Sequence, residues 1–270
     1  MPTTLRTEAV ETLRDYTELI EVIVADKQPA WFRGVGRASH GLVPSLYRHP
    51  SISDVEKLVA LERKIIQRFR ERSIPYQSSP VAIQDDWDLL FLMQHFGVPT
   101  RLLDWTESPY IGLFFALASA PLDPTSQQPT GPAAVWAFRP ETWNKQALAD
   151  IGFDEGILSV GSKPLEPWAP GPNAEYMRVL PIAMYGLHNS PRIVAQRGVF
   201  TIFGKATAPF DQVYQDGNYP DDTLVKIEVP TAAILSLLEQ LAAVGITDST
   251  IYPDLEGLAR ELKRFYGFRT

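Results

Sequence analysis

Prolines limit the length of the helices and strands that this chain can form. The sequence has 23 prolines in 270 residues, and proline interrupts a helix interior or a central strand because it lacks a backbone N–H and fixes φ. Two clusters, at 121–132 and 164–172, therefore predict loops. No internal repeat is visible and the first of these loops is short for a linker, so one domain is expected over residues 1–270.

Apolar residues recur at helical spacing in several segments. Helices are predicted at 5–25, 53–72, 86–96, 109–120, 231–244 and 253–266. Ser53 and Glu56 form a capping-box pattern at the start of the second helix. Ser108 and Pro109 place a cap residue and a first-turn proline at the start of the fourth.

Short runs of β-branched and aromatic residues between turn residues predict strands. They lie at 31–33, 133–138, 178–185, 199–203 and 223–229. Regular helices do not separate these runs. The chain is therefore predicted to be α+β, with a helix-rich N-terminal half and a strand-rich C-terminal half.

Charge and cysteine content exclude several classes of protein. The formal net charge is −7, so no chain-wide positive field is present to hold nucleic acid non-specifically. The absence of cysteine excludes disulfides, thiolate metal sites and a cysteine nucleophile. The N-terminal segment carries a charge every few residues and no run of 18 apolar residues occurs, so neither a signal peptide nor a membrane span is expected, and a cytoplasmic location is predicted.

The short motifs of nucleotide, hydrolase and metalloprotease sites are missing. The sequence has no GxxxxGK[ST], GxGxxG, GxSxG or HExxH. The histidines are His40, His49, His95 and His188. No two of them have i,i+4 spacing, so a zinc hydrolase is not expected. Asp85, Asp86 and Asp88 suit a hydrated magnesium ion, but acids that open a helix also complement its dipole, and no metal is predicted.

One candidate binding group lies in PAWFRGVGR. Arg33 follows Trp31 and Phe32 near the end of a predicted strand, and Gly34 after it permits close backbone approach. A guanidinium there can bind a phosphate or a carboxylate through two hydrogen bonds. The alternative is a structural arginine paired with a buried acid.

A second candidate is the string MQHFGVPTRLLDWTESPYIGLFFALA at 93–118. Its polar residues fall between the end of one predicted helix and the start of the next, where free backbone N–H groups favour an anion. They are Gln94, His95, Arg101, Asp104, Thr106 and Ser108. Beside Trp105, Tyr110, Phe114 and Phe115 they predict a pocket with an aromatic wall, near Arg33.

Simpler roles are open for the same residues. Thr106 and Ser108 suit helix capping, and Arg101 and Asp104 suit an ion pair that clamps the turn. His95, next to a helix C-terminus, is expected either to keep its proton through the helix dipole or to act as a capping residue.

Four segments in this order resemble the bacterial FRG domain. They are Phe32-Arg33-Gly34, QHFGVPTRLLDWTESPYIGLFFALA, PRIVAQRGVFTIF at 191–203 and IYPDLEGLA at 251–259. The resemblance spans roughly residues 20–260. A weaker similarity links the chain to the ADP-ribosyltransferase fold, which cleaves nicotinamide from NAD and implies a mixed or antiparallel β core.

The second resemblance implies roles for individual residues. Arg33 would anchor the NAD pyrophosphate, and Thr106 and Ser108, with Phe114-Phe115-Ala116 after them, would match a Ser/Thr segment. Gln196 stands where that fold has a late-strand glutamate, so it would position a ribose hydroxyl or an acceptor without supplying charge. The implied NAD-binding residues are Arg33, Gly34, Gln94, His95, Arg101, Thr106, Ser108 and Tyr110.

A carboxylate is needed because cleavage of the nicotinamide–ribose bond passes through an oxocarbenium-like state. The candidates are Asp104, Glu107, Asp254 and Glu256, with Asp104 first. Asp104, Gln196 and Glu256 are the predicted catalytic residues.

The expected function is that of an ADP-ribosyltransferase-like protein with NAD as substrate, a protein or nucleic-acid acceptor, and a role as a toxin or phage-defence effector with a neutralising antitoxin partner. The alternatives are a non-catalytic module that binds a nucleotide or a protein, and a nucleic-acid-directed effector. The nucleic-acid-directed alternative rests on the basic segments 63–64, 67–70 and 263–264. On amphipathic helices such basic residues more often lie on the solvated face.

Overall fold

A mixed β-sheet organises the fold. In the computed structural model, which describes residues 3–76, 85–171, 174–187 and 191–268, these residues form one eight-stranded sheet. The strands are β1 (Arg6–Ala9), β2 (Trp31–Val35), β3 (Leu102–Thr106), β4 (Ala133–Phe138), β5 (Leu158–Ser159), β6 (Ile182–Tyr185), β7 (Gly198–Ile202) and β8 (Leu224–Val229). Their order across the sheet is β1-β8-β4-β2-β3-β7-β6-β5.

Most neighbouring strands are antiparallel. The β1–β8 and β5–β6 pairs, at the two edges, are parallel, and the five pairs between them are antiparallel. The predicted α+β class with a mixed, mainly antiparallel sheet is therefore confirmed.

Helices cover both faces of this sheet. They are α1 (Leu13–Ile23), α2 (Val55–Ser73), α3 (Asp86–His95), α4 (Pro109–Ala118), α5 (Pro140–Ala147), α6 (Pro191–Gln196), α7 (Phe210–Asp216), α8 (Ile234–Ala243), α9 (Asp248–Ile251) and α10 (Leu255–Phe265). Side chains of β2 point alternately to the two faces, so Trp31 joins the core beneath α3, α5 and α7, while Phe32 joins the core beneath α1, α4 and α8.

Polar side chains begin the helices nearest the site. Asp85 accepts hydrogen bonds from the backbone N–H of Trp87 and Asp88 at the start of α3, and Ser108 accepts one from Ile111 at the start of α4. In α2 the cap is Asp54 rather than the predicted Ser53. Each cap satisfies a backbone donor that the first turn leaves free.

Several sequence predictions need correction. The predicted helix 5–25 is strand β1 followed by α1, because β1 is held as an edge strand by pairing with β8. The predicted strand 178–185 is limited to β6. LLDWT at 102–106, which is not among the predicted strands, is strand β3 because it pairs along its whole length with β7. Strands and helices occur in both halves of the chain, so the predicted division into a helix-rich and a strand-rich half is wrong.

Glycine sets the distance between β2 and α4. A Cβ on Gly34 would lie 2.2 Å from both the Ala116 N and the Gly112 O of α4, and one on Gly36 would lie 2.0 Å from Ser119 O. The strand and the helix are therefore closer than any side chain at these positions would allow. This contact fixes α4 beside Arg33.

None of the helices formed by the described residues combines the length and the apolar character needed to cross a bilayer.

Candidate functional site

A cleft of about 310 Å³ opens beside the centre of the sheet. Its walls come from β2, β3, α6 and β7, and from the adjacent parts of α3 and α4. It brings together seven of the predicted site residues: Arg33, Gly34, Gln94, His95, Asp104, Thr106 and Gln196. Aromatic side chains from Phe32, Phe91, Trp105, Phe115 and Phe200 complete much of the lining, so a polar set is placed in a largely apolar wall, as in small-molecule sites.

The carboxylate of Asp104 is the centre of a hydrogen-bonded group. Gln94 Nε2 donates to Asp104 Oδ2 over 2.7 Å, and Arg33 Nη1 lies 3.9 Å from the same oxygen and donates to the Asp104 backbone O over 2.6 Å. Thr100 Oγ1 donates to Gln94 Oε1 over 2.5 Å and itself accepts from Leu102 N. The Gln94 amide is thus held with its NH₂ group towards the carboxylate.

The surroundings of Asp104 oppose its ionisation. Burial raises the pKa of its carboxyl, and the Arg33 charge, the Gln94 hydrogen bond and the more distant Arg192 charge oppose that rise. The side chain is 55% exposed, but it lies in the cleft, where protein atoms replace much of the solvent that would stabilise a charge. Burial also lowers the pKa of Arg33, against the attraction of Asp104 and with repulsion from Arg48.

Arg33 has unused hydrogen-bonding capacity. Its side chain is 24% exposed, and its Nε atom is buried with no hydrogen-bond partner among the described residues. A buried donor without an acceptor costs roughly 1–3 kcal/mol. A ligand in the cleft would contact the exposed part of the Arg33 side chain rather than the buried Nε.

His95 is disposed towards its neutral form. Burial lowers the pKa of its imidazole, the charge of Arg192 lowers it further, and Asp254 acts in the opposite direction. Its ring also makes an edge-to-face contact with Phe96, with 4.8 Å between centroids. The direction of this pKa shift is opposite to the one expected from the helix dipole.

Thr106 and Gln196 connect β3 to the turn before β7. Thr106 Oγ1 donates to the Gln196 backbone O over 2.7 Å and accepts from Ser108 N over 3.0 Å. The Gln196 side-chain amide donates to Ile251 O over 3.3 Å. Arg197 after it has φ of 48°, so the chain reverses tightly here and holds Gln196 at the cleft wall.

Comparison with known families identifies part of this architecture. Residues 28–123 match the family model of the FRG domain. Over these residues the chain is similar to the FRG domain. The matched residues, called the FRG segment below, include β2, α2, α3, β3 and α4. Searches of curated proteins and of solved structures found no match.

The FRG segment forms one wall of the cleft and the rest of the chain forms the other. Arg33, Gln94 and Asp104 belong to the segment, whereas Arg192 and Gln196 do not. Sequence analysis did not single out Arg192, although it lies in the quoted PRIVAQRGVF run. Its guanidinium stacks on the Tyr252 ring at 4.6 Å from the centroid, so the cleft has a second cation opposite the FRG wall.

Arg101 has a structural role in the FRG segment, not a ligand-binding one. Its side chain is fully buried, and its Nε donates to Glu62 Oε2 over 2.8 Å. The two Nη atoms donate to the backbone O of Phe203 and of Trp168. The proposed Arg101–Asp104 clamp is not formed, because Glu62 on α2 is the acid that faces this guanidinium.

Three more predicted site residues lie outside the cleft lining. Ser108 caps α4 of the FRG segment, and the Tyr110 hydroxyl is 3.1 Å from Thr17 Oγ1 on α1. Glu256 is exposed on α10, where its Oε1 accepts from Arg260 over 2.6 Å. The cleft therefore gains no carboxylate from Glu256.

The other charged residues named from sequence lie in ordinary structural positions. Glu107 pairs with Arg197 at 3.6 Å and Asp254 caps α10. In the basic segments, Arg68 pairs with Glu71 and Arg70 with Asp86 on exposed helix faces, and Arg264 pairs with the buried Asp248. Within the part of the chain that the structure describes, no group of three or more acidic or imidazole side chains is placed to hold a metal. His188 lies outside the described residues.

Proposed function

We propose that the cleft binds NAD and cleaves its nicotinamide–ribose bond, with transfer of ADP-ribose to a macromolecular acceptor. One observation carries the proposal: β2 with Arg33, β3 with Asp104 and Thr106, and β7 preceded by Gln196 are neighbours in the sheet and line one cleft. The resemblance to the ADP-ribosyltransferase fold implies roles for Arg33, Thr106 and Gln196 in this set, and Asp104 adds the candidate carboxylate.

The two arginines provide the anion-binding part of the site. The exposed part of the Arg33 side chain lies in the cleft, and Arg192 is held on the opposite wall by the Tyr252 ring. A guanidinium forms strong charge-assisted bonds to phosphate oxygens. The volume of about 310 Å³ is near the lower end of the roughly 300–1,000 Å³ of small-molecule sites, so the cleft suits the reacting half of a dinucleotide.

Asp104 supplies the negative charge for the bond-breaking step. As the C1′–N bond of NAD breaks, its electron pair passes to the nicotinamide ring and positive charge develops on the ribose. An ionised Asp104, oriented by Gln94, stabilises that charge, and an acceptor nucleophile then bonds to C1′ and loses its proton. Gln196, which is neutral, orients the ribose or the acceptor.

The test measures NAD binding by calorimetry and nicotinamide release by chromatography on the same preparations. Arg33→Ala is expected to weaken NAD binding about ten- to hundredfold, because a charge-assisted contact contributes roughly 1.5–3 kcal/mol. Arg33→Lys is expected to be nearly as weak. Asp104→Asn is expected to bind NAD but to lose on the order of 10²–10³ in release rate.

Two matched controls change the same residue types outside the cleft. Arg14→Ala removes an exposed arginine of α1 that pairs with Glu18, and Asp123→Asn removes a half-buried loop carboxylate that lies outside the cleft lining. Both variants are expected to bind NAD and to release nicotinamide as the wild type does. If a folded Arg33→Ala protein binds NAD as tightly as the wild type, the assignment of Arg33 to NAD binding is wrong.

A non-catalytic binding module is the second candidate, favoured by one observation: the late-strand position holds Gln196 instead of a carboxylate. In that case the wild-type protein binds NAD or another nucleotide through Arg33 and releases no nicotinamide. A toxin or phage-defence role, with an antitoxin that covers the cleft, extends the first candidate and requires that release be observed.

A further inference from the structure

The last helix, α10, exposes its apolar side chains to solvent. Leu255 is 84% exposed, Leu258 43%, Leu262 48% and Phe265 80%, and Tyr266 beside them is 68% exposed. A surface helix of a single domain normally turns such residues inward. A contiguous exposed patch of this kind marks an interaction surface.

The polar side of α10 is the side attached to the domain. Arg264 donates to both carboxylate oxygens of Asp248 on α9, over 2.8 and 3.2 Å. Gly257 is buried, and a Cβ there would lie 2.0 Å from the Tyr252 backbone O. These contacts fix the helix with its apolar side outward, so the exposure is built into the fold.

The apolar residues have the spacing of a helix-pairing seam. Leu255, Leu258, Leu262 and Phe265 follow one another at intervals of three, four and three residues, the a/d pattern of a coiled coil. About a two-fold axis near residue 260, an antiparallel copy of the same helix would place Phe265 opposite Leu255 and Leu262 opposite Leu258. The seam is therefore self-complementary, as a two-fold interface must be.

The charges on α10 favour the same arrangement. Asp254 and Glu256 lie at its start, Arg260 and Glu261 in its middle, where they contact Glu256 and Ser249 of the same chain, and Lys263 and Arg264 at its end. Antiparallel pairing brings Glu256 of one copy beside Lys263 of the second copy, with the small side chain of Ala259 between them. It also makes the dipoles of the two helices point in opposite directions. The mixture of acids and bases gives little attraction to an anionic membrane, which prefers helices with a basic polar face.

We propose that α10 is a homodimer interface in which two copies of the chain pair through antiparallel α10 helices. The interface is small, because 11 residues form a helix only about 16 Å long. The dimer is therefore weak and forms reversibly with concentration. This inference is independent of the chemistry in the cleft.

Sedimentation velocity of the full chain over a wide concentration range tests the proposal. The wild-type protein is expected to show a monomer–dimer equilibrium. Phe265→Glu, at a position too exposed to disturb the fold, is expected to weaken dimerisation at least tenfold, because the symmetry places the charge in the seam twice. Val22→Glu, a matched change at an exposed position of α1, is expected to leave the equilibrium unchanged, with circular dichroism confirming both folds.

A charge exchange tests the orientation. Lys263→Glu is expected to weaken the dimer, and adding Glu256→Lys to it is expected to restore the wild-type equilibrium. A chain that stays monomeric at every concentration, or a dimer unaffected by Phe265→Glu, would overturn the proposal. A monomer that instead binds vesicles of anionic phospholipid through Phe265 would also overturn it and assign the surface to a membrane.

Discussion

Asp104 lies where ionisation of its carboxyl is less favourable than in the unfolded chain. Burial in the cleft raises the pKa of its carboxyl in spite of Arg33 and Gln94. A carboxyl with a higher pKa in the folded than in the unfolded chain binds its proton more tightly when folded. Its ionisation therefore costs stability at neutral pH, and that cost is relieved as the pH falls through the folded-state pKa.

Asp104→Asn is consequently expected to raise the melting temperature at pH 7. The asparagine keeps an oxygen that can accept from Gln94 but carries no charge to desolvate. The gain over wild type is expected to shrink as the pH falls through the raised pKa of the wild-type carboxyl. Thermal unfolding followed by circular dichroism at several pH values measures both effects.

Asp123→Asn provides a control with the opposite sign. Backbone hydrogen bonds from Ser126 and Thr125 lower the pKa of Asp123, so its ionised form stabilises the folded chain above its unfolded-state pKa and this contribution is lost at acid pH. The substitution is expected to lower the melting temperature at pH 7. A lower melting temperature for Asp104→Asn as well would contradict the account of Asp104.

Arg101 and Asp104 show what sequence could predict at the scale of single residues. The cleft brings Gln94, His95, Asp104 and Thr106 of the 93–118 string together with Arg33, whereas Arg101 lies in the core. The roles of Arg101 and Asp104 could not be separated, because both are polar residues in one apolar run. Arg101 precedes β3 and faces Glu62 of α2 in the core, whereas Asp104, three residues later within β3, lies in the cleft. The difference depends on the position of α2, whose Glu62 lies 39 residues before Arg101 in the chain.

At the scale of elements, the contact between β2 and α4 shapes the cleft. Gly34 lets the helix backbone reach the strand, as the distances from a hypothetical Cβ show. The sequence predicts Gly34 as a ligand-binding residue, and Gly34 lines the cleft. The structure adds a steric requirement from packing that a single sequence cannot show.

Gly34→Ala is expected to destabilise the protein by about 1–3 kcal/mol or more, because the added methyl group must displace the α4 backbone. Urea unfolding measures this as a lower midpoint at unchanged slope. Gly131→Ala is the control, since a Cβ there meets nothing within 4 Å, and its effect is expected to be small. Equal midpoints for the two variants would show that α4 moves freely on β2.

Strand β3 was missed for a related reason. LLDWT contains an aspartate and follows Pro99 closely, so the local pattern resembles a loop between two helices. Pairing with β7, almost a hundred residues later, makes it a central strand. Helices with their own caps, such as α3 and α4, were predicted to within a few residues because their signals are local.

At the scale of the whole molecule, the sheet joins segments that are far apart in the chain. Within the FRG segment, β2 and β3 are linked by one pair, Phe32 with Thr106. All five residues of β2 pair with β4, and all five of β3 pair with β7. Both partner strands, β4 and β7, lie outside residues 28–123. The FRG segment therefore lacks the strands with which its own β2 and β3 pair.

The isolated segment 28–123 is therefore expected not to fold. Without β4 and β7, its two strands expose unpaired backbone groups on both edges, and the apolar faces of β2 and β3 lose the cores formed with α5, α7 and α8. Circular dichroism and amide proton NMR are expected to show an unfolded chain. Residues 3–268, which keep every described strand, are the control and are expected to unfold cooperatively. Dispersed amide signals and a cooperative transition from the 28–123 fragment would show instead that the FRG segment is an independent folding unit.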